Sequence, residues 1–438
     1  MAILLFKVMV ALGSGLLGAW VLRTRVLELP EKAFVRWALG LQVLPALALF
    51  AALYVLGHQE PTSDVPAYYL PAAHAVLAGQ VPFRDFTLSY APLFPYISAA
   101  LVLLWDSGKV FALFDIVLNA AALLLWHDIA KRCYDRATAR HSTLLYASCG
   151  HMLVQALLGA NQVWVGVALA ASTALLVRDR NSGAGIVQAV AAATTKVLAH
   201  LFWPVLWIFA PRRSTWLAAA LLPVLGLYGM FVALGSGPGL LYPLLHEQGK
   251  MSSGNLPYLL GLVFGGSGPA ERLILDGLTL AAFAVAFGWL FSRTRTVSPE
   301  NRPRLLPAGL ALVGLVLMCL SKKSFTGYVV FVMYPLVLML VAGLPNTRPR
   351  VGFLLAFNVL LVGEPSLWFH IDGFNRSLRA WFAGGGGLAA VGFVCVDLAL
   401  LACYVYLGWL SVRWVQSTVE GAIADKNASQ SPTACSLV

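Results

Sequence analysis

Apolar residues in this chain form long, nearly unbroken runs, and polar residues are confined to short stretches between them. Runs of about 17 to 25 apolar residues are long enough to cross a bilayer as helices. The pattern therefore predicts an all-α polytopic membrane protein, a bundle of about 11 to 13 transmembrane helices. The predicted spans lie near 2–22, 36–57, 109–130, 142–158, 161–177, 184–196, 197–210, 215–234, 270–292, 305–321, 326–344, 351–363 and 387–412.

Composition agrees with this pattern and excludes a soluble protein. Hydrophobic residues make up 59% of the 438 residues and charged residues only 11%, whereas soluble domains carry about 25% charged residues. We expect one polytopic domain over residues 1–415, followed by a polar, Ser-rich tail over 416–438 that is disordered and cytoplasmic. The chain has no internal repeat of the kind that marks many secondary transporters.

The net charge of +11 is distributed as in a membrane protein and does not indicate nucleic-acid binding. Its Lys and Arg residues lie in short clusters between the predicted spans, which is the pattern of cytoplasmic loops. The clusters are Arg23, Arg25, Lys32 and Arg36; Lys131, Arg132, Arg136 and Arg140; Arg178 and Arg180; Arg212 and Arg213; Arg293, Arg295, Arg302 and Arg304; Arg348 and Arg350. Alternation of sides then places residues 58–108 outside, as a first periplasmic loop with interfacial helices. Within it, the short run 91–105 is predicted to be interfacial or re-entrant.

The cysteines and acidic residues give no clear metal site. The six cysteines have neither CxxC nor paired spacing, so no disulfide framework or thiolate metal site is indicated. The first loop has no DxD motif, and no carboxylate or second histidine follows His74 at helical spacing. No cofactor is certain from the sequence, and a divalent metal is possible but not indicated.

Two acidic residues of the first loop are candidates for chemistry. Asp64 precedes a short predicted helix that ends near Leu77, so it is either the helix N-cap or a catalytic carboxylate. Asp85 lies beside Arg84, which is typical of an interfacial turn held by a salt bridge.

Lys196 is the most notable basic candidate. It lies where two short apolar arms, 184–196 and 197–210, are predicted to meet on the outer side. A charge at the centre of a membrane helix costs roughly 2.5–3.5 kcal/mol on insertion scales and usually marks function. The alternative is a lysine that snorkels to the headgroups. Headgroup contact is also the simpler interpretation of other outer-side cations, namely Lys322, Lys323, Arg376 and Arg379.

Further polar residues fall in predicted outer loops and are weaker candidates. His246 lies in the loop 235–258, where it would either assist an acceptor or simply be solvated. His370 and Asp372 lie in the loop 364–386 and would line an acceptor cleft.

The order of residues in the first loop resembles a known family. The relevant residues are Asp64, Tyr68-Tyr69, Ala72-Ala73, Leu77, Gly79, Pro82-Phe83 and Tyr90-Ala91-Pro92-Leu93. They are similar to the first periplasmic loop of GT-C superfamily glycosyltransferases, most of all glycosyltransferase family 87, the polyprenol-phosphate-mannose-dependent type. Phe83 replaces the family's usual Tyr, and Ala91 replaces the first Pro of its Tyr-Pro-Pro-Leu pattern.

Later segments extend the resemblance as far as about Pro335. The segments that resemble family motifs are Gly159-Ala160-Asn161-Gln162, Thr195-Lys196 with Trp203-Pro204, and Lys323-Ser324-Phe325 through Tyr328 to Pro335. Each motif is short and degenerate, and only their order and outer-side placement are specific.

The resemblance implies an inverting glycosyltransferase in a bacterial inner membrane with its active site facing the periplasm. It would transfer mannose, or a similar hexose or pentose, from a polyprenyl phosphate to a hydroxyl of a glycan, lipid or protein. Asp64 would be the general base, and Lys196, Lys322 and Lys323 would bind the donor phosphate. The secondary and acceptor-side candidates are Asp85, Tyr90, Gln162, His246 and Tyr328.

Two other classes stay open from the sequence. A transporter or flippase of a lipid-linked sugar would also need an outer cavity with cations, although transporters usually keep coupling carboxylates inside their spans. A structural membrane protein would need no polar loop of this kind. Consumption of a polyprenyl-phosphate sugar separates the transferase from both.

Overall fold

The computed structural model describes residues 2–247, 251–264, 268–371 and 387–430 of the chain. Secondary structure in this part is helical, apart from one isolated bridge between Pro82 and Phe86. The helices are α1 (Ala2–Val21), α2 (Glu31–Phe50), α3 (Leu70–Leu77), α4 (Phe94–Leu104), α5 (Lys109–Cys133), α6 (Arg136–Ala147), α7 (Gly150–Leu157), α8 (Gln162–Val177), α9 (Asn181–Thr194), α10 (Trp203–Phe209), α11 (Arg213–Phe231), α12 (Tyr242–Glu247), α13 (Leu256–Phe264), α14 (Pro269–Thr294), α15 (Leu306–Leu320), α16 (Met333–Gly343), α17 (Thr347–Ile371) and α18 (Gly387–Gln430).

Short turns of other helix types extend several of these helices. The 3₁₀ turns are Arg25–Glu28, Val197–Phe202, Pro238–Leu241, Arg302–Leu305 and Thr326–Phe331, and the π turns are Ala51–Leu56, Val65–Tyr69 and Val232–Ser236. The predicted all-helical class is therefore confirmed.

Eight helices of the described residues are long and apolar enough to cross a membrane. They are Ile3–Val21, Glu31–Leu56, Lys109–Cys133, Arg213–Ser236, Ala270–Thr294, Arg302–Leu320, Thr347–Trp368 and Gly387–Gly421. Helices α7 and α8 form a ninth span if the pair, bent by 119°, is taken as one. The chain is thus polytopic as predicted. In the described ranges, fewer helices than the expected 11 to 13 are long enough to cross a membrane, because several predicted spans are shorter or broken helices. A crossing helix needs about 20 residues.

The region predicted as the span 326–344 illustrates this difference. It consists of the 3₁₀ turn Thr326–Phe331 and the 11-residue helix α16, in which Met333 to Val341 are all buried. A helix that is apolar on every side packs inside a protein as readily as it spans a bilayer. Helix α16 is therefore part of the core, where it packs against α6, α15 and α18.

The outer helices present apolar side chains away from the bundle. In α14, for example, Leu273, Leu278 and Val285 are largely exposed, as expected of side chains that face lipid. By contrast, α9 and α11 approach closely, since a β-carbon on Gly185 would lie 2.4 Å from the Trp216 carbonyl oxygen. This close packing holds α9, and with it the segment around Lys196, against the bundle.

Helix α6 begins with a side-chain cap at the loop that follows α5. The Asp135 carboxylate accepts hydrogen bonds from the Thr138 backbone N–H at 2.9 Å and from the Thr138 hydroxyl at 2.6 Å. The hydrogen bond from the Thr138 hydroxyl, and to a smaller extent the one from the Thr138 N–H, hold the pKa of Asp135 below its usual value. An acidic N-cap of this kind satisfies a backbone donor that the helix leaves unpaired.

The end of the chain differs from the prediction for residues 416–438. Helix α18 continues from the last span through 416–430, where disorder was expected. The segment from Arg413 to Gln430 contains no proline that would end the helix of the last span. Residues 431–438 lie outside the described residues.

Candidate functional site

The first-loop helix begins where the sequence predicted, but its first acidic side chain is not used as a cap. Asp64 occupies the N-cap position of the turn Val65–Tyr69, which leads directly into α3. Its side chain makes no capping hydrogen bond. The carboxylate oxygen Oδ2 instead accepts a hydrogen bond from the Tyr90 hydroxyl. The Asp64 backbone thus occupies the N-cap position of the helix. The carboxylate is not part of a cap and contacts Tyr90 instead.

Two buried tyrosines, Tyr90 and Tyr69, lie next to the Asp64 carboxylate, and Tyr90 donates a hydrogen bond to it. Tyr90 and Tyr69 are 2% and 1% exposed, and their hydroxyl oxygens lie 3.4 Å apart. The Asn161 backbone N–H donates to the Tyr69 hydroxyl at 3.1 Å. Burial raises the pKa of both phenols, and the Asp64 carboxylate raises them further. Both tyrosines therefore stay protonated, and Tyr90 remains a hydrogen-bond donor to Asp64.

The bend between α7 and α8 holds the first-loop helix in place. The Ser63 hydroxyl donates to the Leu158 carbonyl at 2.6 Å. Gly159 in this bend has a φ of +65°, and a β-carbon there would lie 3.0 Å from the Phe111 side chain and 3.1 Å from that of Val65. Only glycine adopts this conformation without strain in so little space. The turn Gly159-Ala160-Asn161-Gln162 thus places the Asn161 backbone N–H next to the Tyr69 hydroxyl.

Lys196 points into the protein and meets the same carboxylate. It follows the end of α9 and precedes the 3₁₀ turn Val197–Phe202, and its side chain is 17% exposed. Its Nζ lies 3.5 Å from Asp64 Oδ2. The ammonium also lies 5.1 Å from the centre of the Tyr90 ring and 5.5 Å from that of the Tyr328 ring, which is within the range of cation–π attraction.

The backbone fixes the relative position of these two segments. The Ala91 N–H donates to the Thr195 carbonyl and the Leu93 N–H donates to the Ala193 carbonyl, both at 2.8 Å. The segment that carries Tyr90 therefore lies directly beside the segment that carries Lys196. We refer to Asp64, Tyr69, Tyr90, Lys196 and Tyr328 as the Asp64 cluster.

The Asp64 cluster combines a proton acceptor with a held cation. The Asp64 side chain is 42% exposed, so it can be reached from outside the protein, whereas Lys196 is more buried. A carboxylate of this kind can take a proton from a hydroxyl. A partly desolvated ammonium can stabilise an anion that forms next to it.

Gln162 and Asp85, two other predicted site residues, do not join the cluster. Gln162 begins α8 and is half-buried, and among the described contacts it has no hydrogen bond to the cluster. Asp85 accepts from Arg84 at 2.8 and 2.9 Å and from the Val81 N–H at 2.7 Å. The hydrogen bonds from Arg84, and to a smaller extent the one from the Val81 N–H, lower the pKa of Asp85 to about 2. Asp85 therefore closes a surface turn, the structural alternative stated above.

The predicted phosphate-binding lysines occupy different environments. Lys322 is 2% exposed and forms an ion pair with Asp276 at 2.6 Å. Its charge is therefore already matched by a carboxylate on α14. Lys323 is half-buried in the same turn, and its N–H donates to the Ser321 hydroxyl at 3.4 Å.

Several weaker candidates cannot be compared with the structure. His246 lies in α12, but its side chain is outside the described residues, as is that of His370 in α17. Asp372, Arg376 and Arg379 lie outside the described residues entirely.

Tyr69 is the residue that the sequence did not identify as part of the site. It appeared only in the Tyr68-Tyr69 pair of the family resemblance, and the structure buries it inside the protein, where it is 1% exposed. Its role in linking Asn161 to Tyr90 depends on a contact between distant segments. The available signal was the repeated Tyr68-Tyr69 beside an acidic residue. Within the described ranges, no group of three or more His, Cys, Asp or Glu side chains is arranged to hold a metal ion.

Comparison with known proteins shows a distant structural similarity. No protein-family model matches the chain, and no curated protein sequence matches it. The crystal structure of ArnT from Cupriavidus metallidurans bound to undecaprenyl phosphate aligns with a TM-score of 0.46 and 14% sequence identity. The alignment covers 84% of this chain and 77% of that chain.

Proposed function

We propose that this protein is a membrane-embedded GT-C-type glycosyltransferase that transfers a sugar from a polyprenyl-phosphate donor to an acceptor hydroxyl. The observation that carries the proposal is the geometry of Asp64. Its carboxylate makes no capping bond, is 42% exposed, and lies 3.5 Å from the Lys196 ammonium. The resemblance of the first loop to glycosyltransferase family 87 agrees with this assignment.

Asp64 acts in this proposal as the general base. The acceptor hydroxyl forms a bond to the anomeric carbon while the bond from that carbon to the phosphate oxygen breaks. The hydroxyl proton passes to Asp64, because a carboxylate within hydrogen-bond reach lowers the barrier for such a transfer. Tyr90 keeps the carboxylate oriented through its hydrogen bond.

Lys196 acts as the partner of the departing polyprenyl phosphate. The phosphate gains negative charge as the sugar leaves, and a preorganised cation stabilises that charge. In an inverting displacement, the incoming oxygen attacks from the face opposite the leaving group. The Lys196 ammonium must therefore turn from Asp64 towards the phosphate when the donor binds. Tyr328, whose ring lies 5.5 Å from that ammonium, is placed to guide this movement.

The remaining features of the proposal concern the substrates and the location. The sugar is mannose or a similar hexose or pentose, and the acceptor is a glycan, a lipid or a protein. The basic clusters favour a bacterial inner membrane with the first loop, 58–108, facing the periplasm. Lys323 and Tyr328 extend the proposed donor side, and His246 and Gln162 the acceptor side.

The proposal is tested with purified protein, labelled polyprenyl-phosphate sugars and a cell-envelope extract. We expect loss of the labelled donor and a labelled product whose mass identifies the sugar and the acceptor. A donor that is moved across vesicles without cleavage would instead establish the flippase alternative. Failure to consume any of the donors would refute the transferase function.

A further inference from the structure

Two carboxylates are buried together in the membrane-spanning part of the protein, away from the Asp64 cluster. Glu364 in α17 is 1% exposed and Asp397 in α18 is 0% exposed, and they are close enough to interact electrostatically. Among the described residues, Glu364 Oε1 and both Asp397 carboxylate oxygens have no hydrogen-bond partner. An isolated buried carboxylate is strongly unfavourable unless it is neutralised.

The loop before α13 lies against this pair. The Ser253 hydroxyl faces Glu364, and the Gly254 backbone N–H faces Asp397. Gly254 has a φ of +79°, and a β-carbon on it would lie 3.5 Å from Glu364 Oε2. The loop backbone therefore lies next to the Glu364 carboxylate, and the positive φ accounts for glycine at this position.

Tyr404 provides an independent indication that a ligand binds beside Glu364 and Asp397. It lies on α18 two turns after Asp397, is 0% exposed, and its hydroxyl has no hydrogen-bond partner in the described part of the chain. Both carboxylates act on this hydroxyl electrostatically. The hydroxyl of Ser252, which is 1% exposed, also has no hydrogen-bond partner. Polar groups this deeply buried are ordinarily satisfied by a partner, a water or an ion.

Ion pairing to a lysine or arginine does not neutralise these carboxylates, since no described ion pair includes Glu364 or Asp397, and the nearby Lys322 is paired with Asp276. Protonation of the two carboxyl groups is the alternative to a bound cation, and a measurement of metal binding separates the two.

We propose that Glu364 and Asp397 bind one hard divalent cation, such as Mg²⁺, Ca²⁺ or Mn²⁺, with hydroxyl oxygens of the loop Ser252–Asn255. Two carboxylates neutralise one divalent charge, and a site made only of oxygen donors is the kind that these cations prefer. The proposal goes beyond the transfer reaction and does not depend on it.

Hydrogen bonds hold the loop Ser252–Asn255 in place beside the carboxylates. The Asn255 side-chain amide donates to the Ser252 carbonyl at 2.7 Å and to the Ser324 carbonyl at 3.2 Å. The Ser252 N–H donates to the Lys322 carbonyl at 2.8 Å. A cation here would therefore brace the loop and the segment leading to Tyr328 against α17 and α18.

Direct binding of Mn²⁺ to the purified full chain tests the proposal by electron paramagnetic resonance. We expect one bound Mn²⁺ per chain and binding at least tenfold weaker in Glu364→Gln and Asp397→Asn. Asp115→Asn is the matched control, because Asp115 is also a fully buried carboxylate in a span but is bonded to Trp164 at 2.8 Å. This control should bind Mn²⁺ like the wild type.

A second measurement keeps the test decisive if the variants do not fold. The melting temperature of the wild-type protein should rise with Mn²⁺ concentration and fall with EDTA, because a ligand that binds only the folded chain stabilises it. Absence of stoichiometric Mn²⁺ binding together with an unchanged melting temperature would overturn the proposal. Equal binding by the wild type and both carboxamide variants would also overturn it.

Discussion

The substitution Asp64→Asn separates a structural role of Asp64 from a catalytic one. Asparagine has the same shape, caps helices about as well as aspartate, and keeps an oxygen that can accept the Tyr90 hydrogen bond. It lacks the negative charge and cannot take a proton from an acceptor hydroxyl. The change therefore leaves the geometry of the first loop in place and removes only the proposed chemistry.

The expected effects on stability and on rate differ clearly in size. The ion pair with Lys196 involves a carboxylate that is 42% exposed, and exposed pairs contribute about 0–1 kcal/mol to the free energy of unfolding. General-base catalysis contributes typically 10²–10⁴-fold in rate, which corresponds to about 2.7–5.4 kcal/mol of activation free energy. We therefore expect kcat to fall by at least 100-fold and the melting temperature to change by only a few degrees.

The assay is transfer of labelled sugar from polyprenyl phosphate, measured with the melting temperature of each preparation. Asp106→Asn is the matched control, because Asp106 belongs to the same loop, is 72% exposed, and pairs with His74 at 2.9 Å. This variant should transfer sugar at the wild-type rate. Near-normal transfer by Asp64→Asn would remove Asp64 from the mechanism.

Four further outcomes are expected. Lys196→Ala should raise the donor KM, lower kcat, or both, because the departing phosphate loses its cation. Tyr90→Phe should lower kcat by about 10-fold or more with little change in KM, since a hydrogen bond to a charged group contributes about 1.5–3 kcal/mol. Asp135→Ala should reduce the free energy of unfolding by about 1 kcal/mol, whereas Asp135→Asn should not. Because the pKa of Asp135 is lowered in the folded chain, the deficit of Asp135→Ala should be largest above about pH 4 and become smaller as the pH falls through the folded pKa. A single-cysteine variant at Ala137 should react with a membrane-impermeant thiol reagent only from the cytoplasmic side.

Each of these outcomes has a control or a contradicting result. Lys109→Ala is the control for Lys196, because Lys109 has a similarly buried side chain and pairs with Glu60 at 3.3 Å. Equal donor KM and kcat for Lys196→Ala and the wild type would exclude the phosphate role. Tyr90→Phe at the wild-type kcat would show that the carboxylate needs no orientation. Labelling of Ala137→Cys from outside would reverse the proposed topology.

The sequence predicted the local elements of the site well, because local signals determine them. Pro66 in the first turn and Gly79 after the last one delimit the first-loop helix, and Gly79 indeed has a φ of +82°. The break at Lys196 was also predicted, since a lysine between two short apolar arms interrupts a span. These features depend on neighbours in the chain, and the hydrophobic pattern contains that information.

The parts that could not be predicted depend on contacts between distant segments. Nothing near Lys322 in the sequence indicates that it pairs with Asp276, and the phosphate role considered for it ignored this partner. The described residues contain fewer long spans than predicted for a related reason. A buried helix such as α16 and a lipid-facing one have the same apolar composition, and only packing against other helices distinguishes them.

The hydrogen bond from the Ala91 N–H to the Thr195 carbonyl limits how far the pattern of the family that the first loop resembles can guide protein engineering. That pattern has proline at this position, and proline has no N–H to donate. Replacing Ala91 with proline would therefore remove one of the two backbone links between the Tyr90 and Lys196 segments. In this chain, the substitution that a consensus design would choose is one that loosens the site.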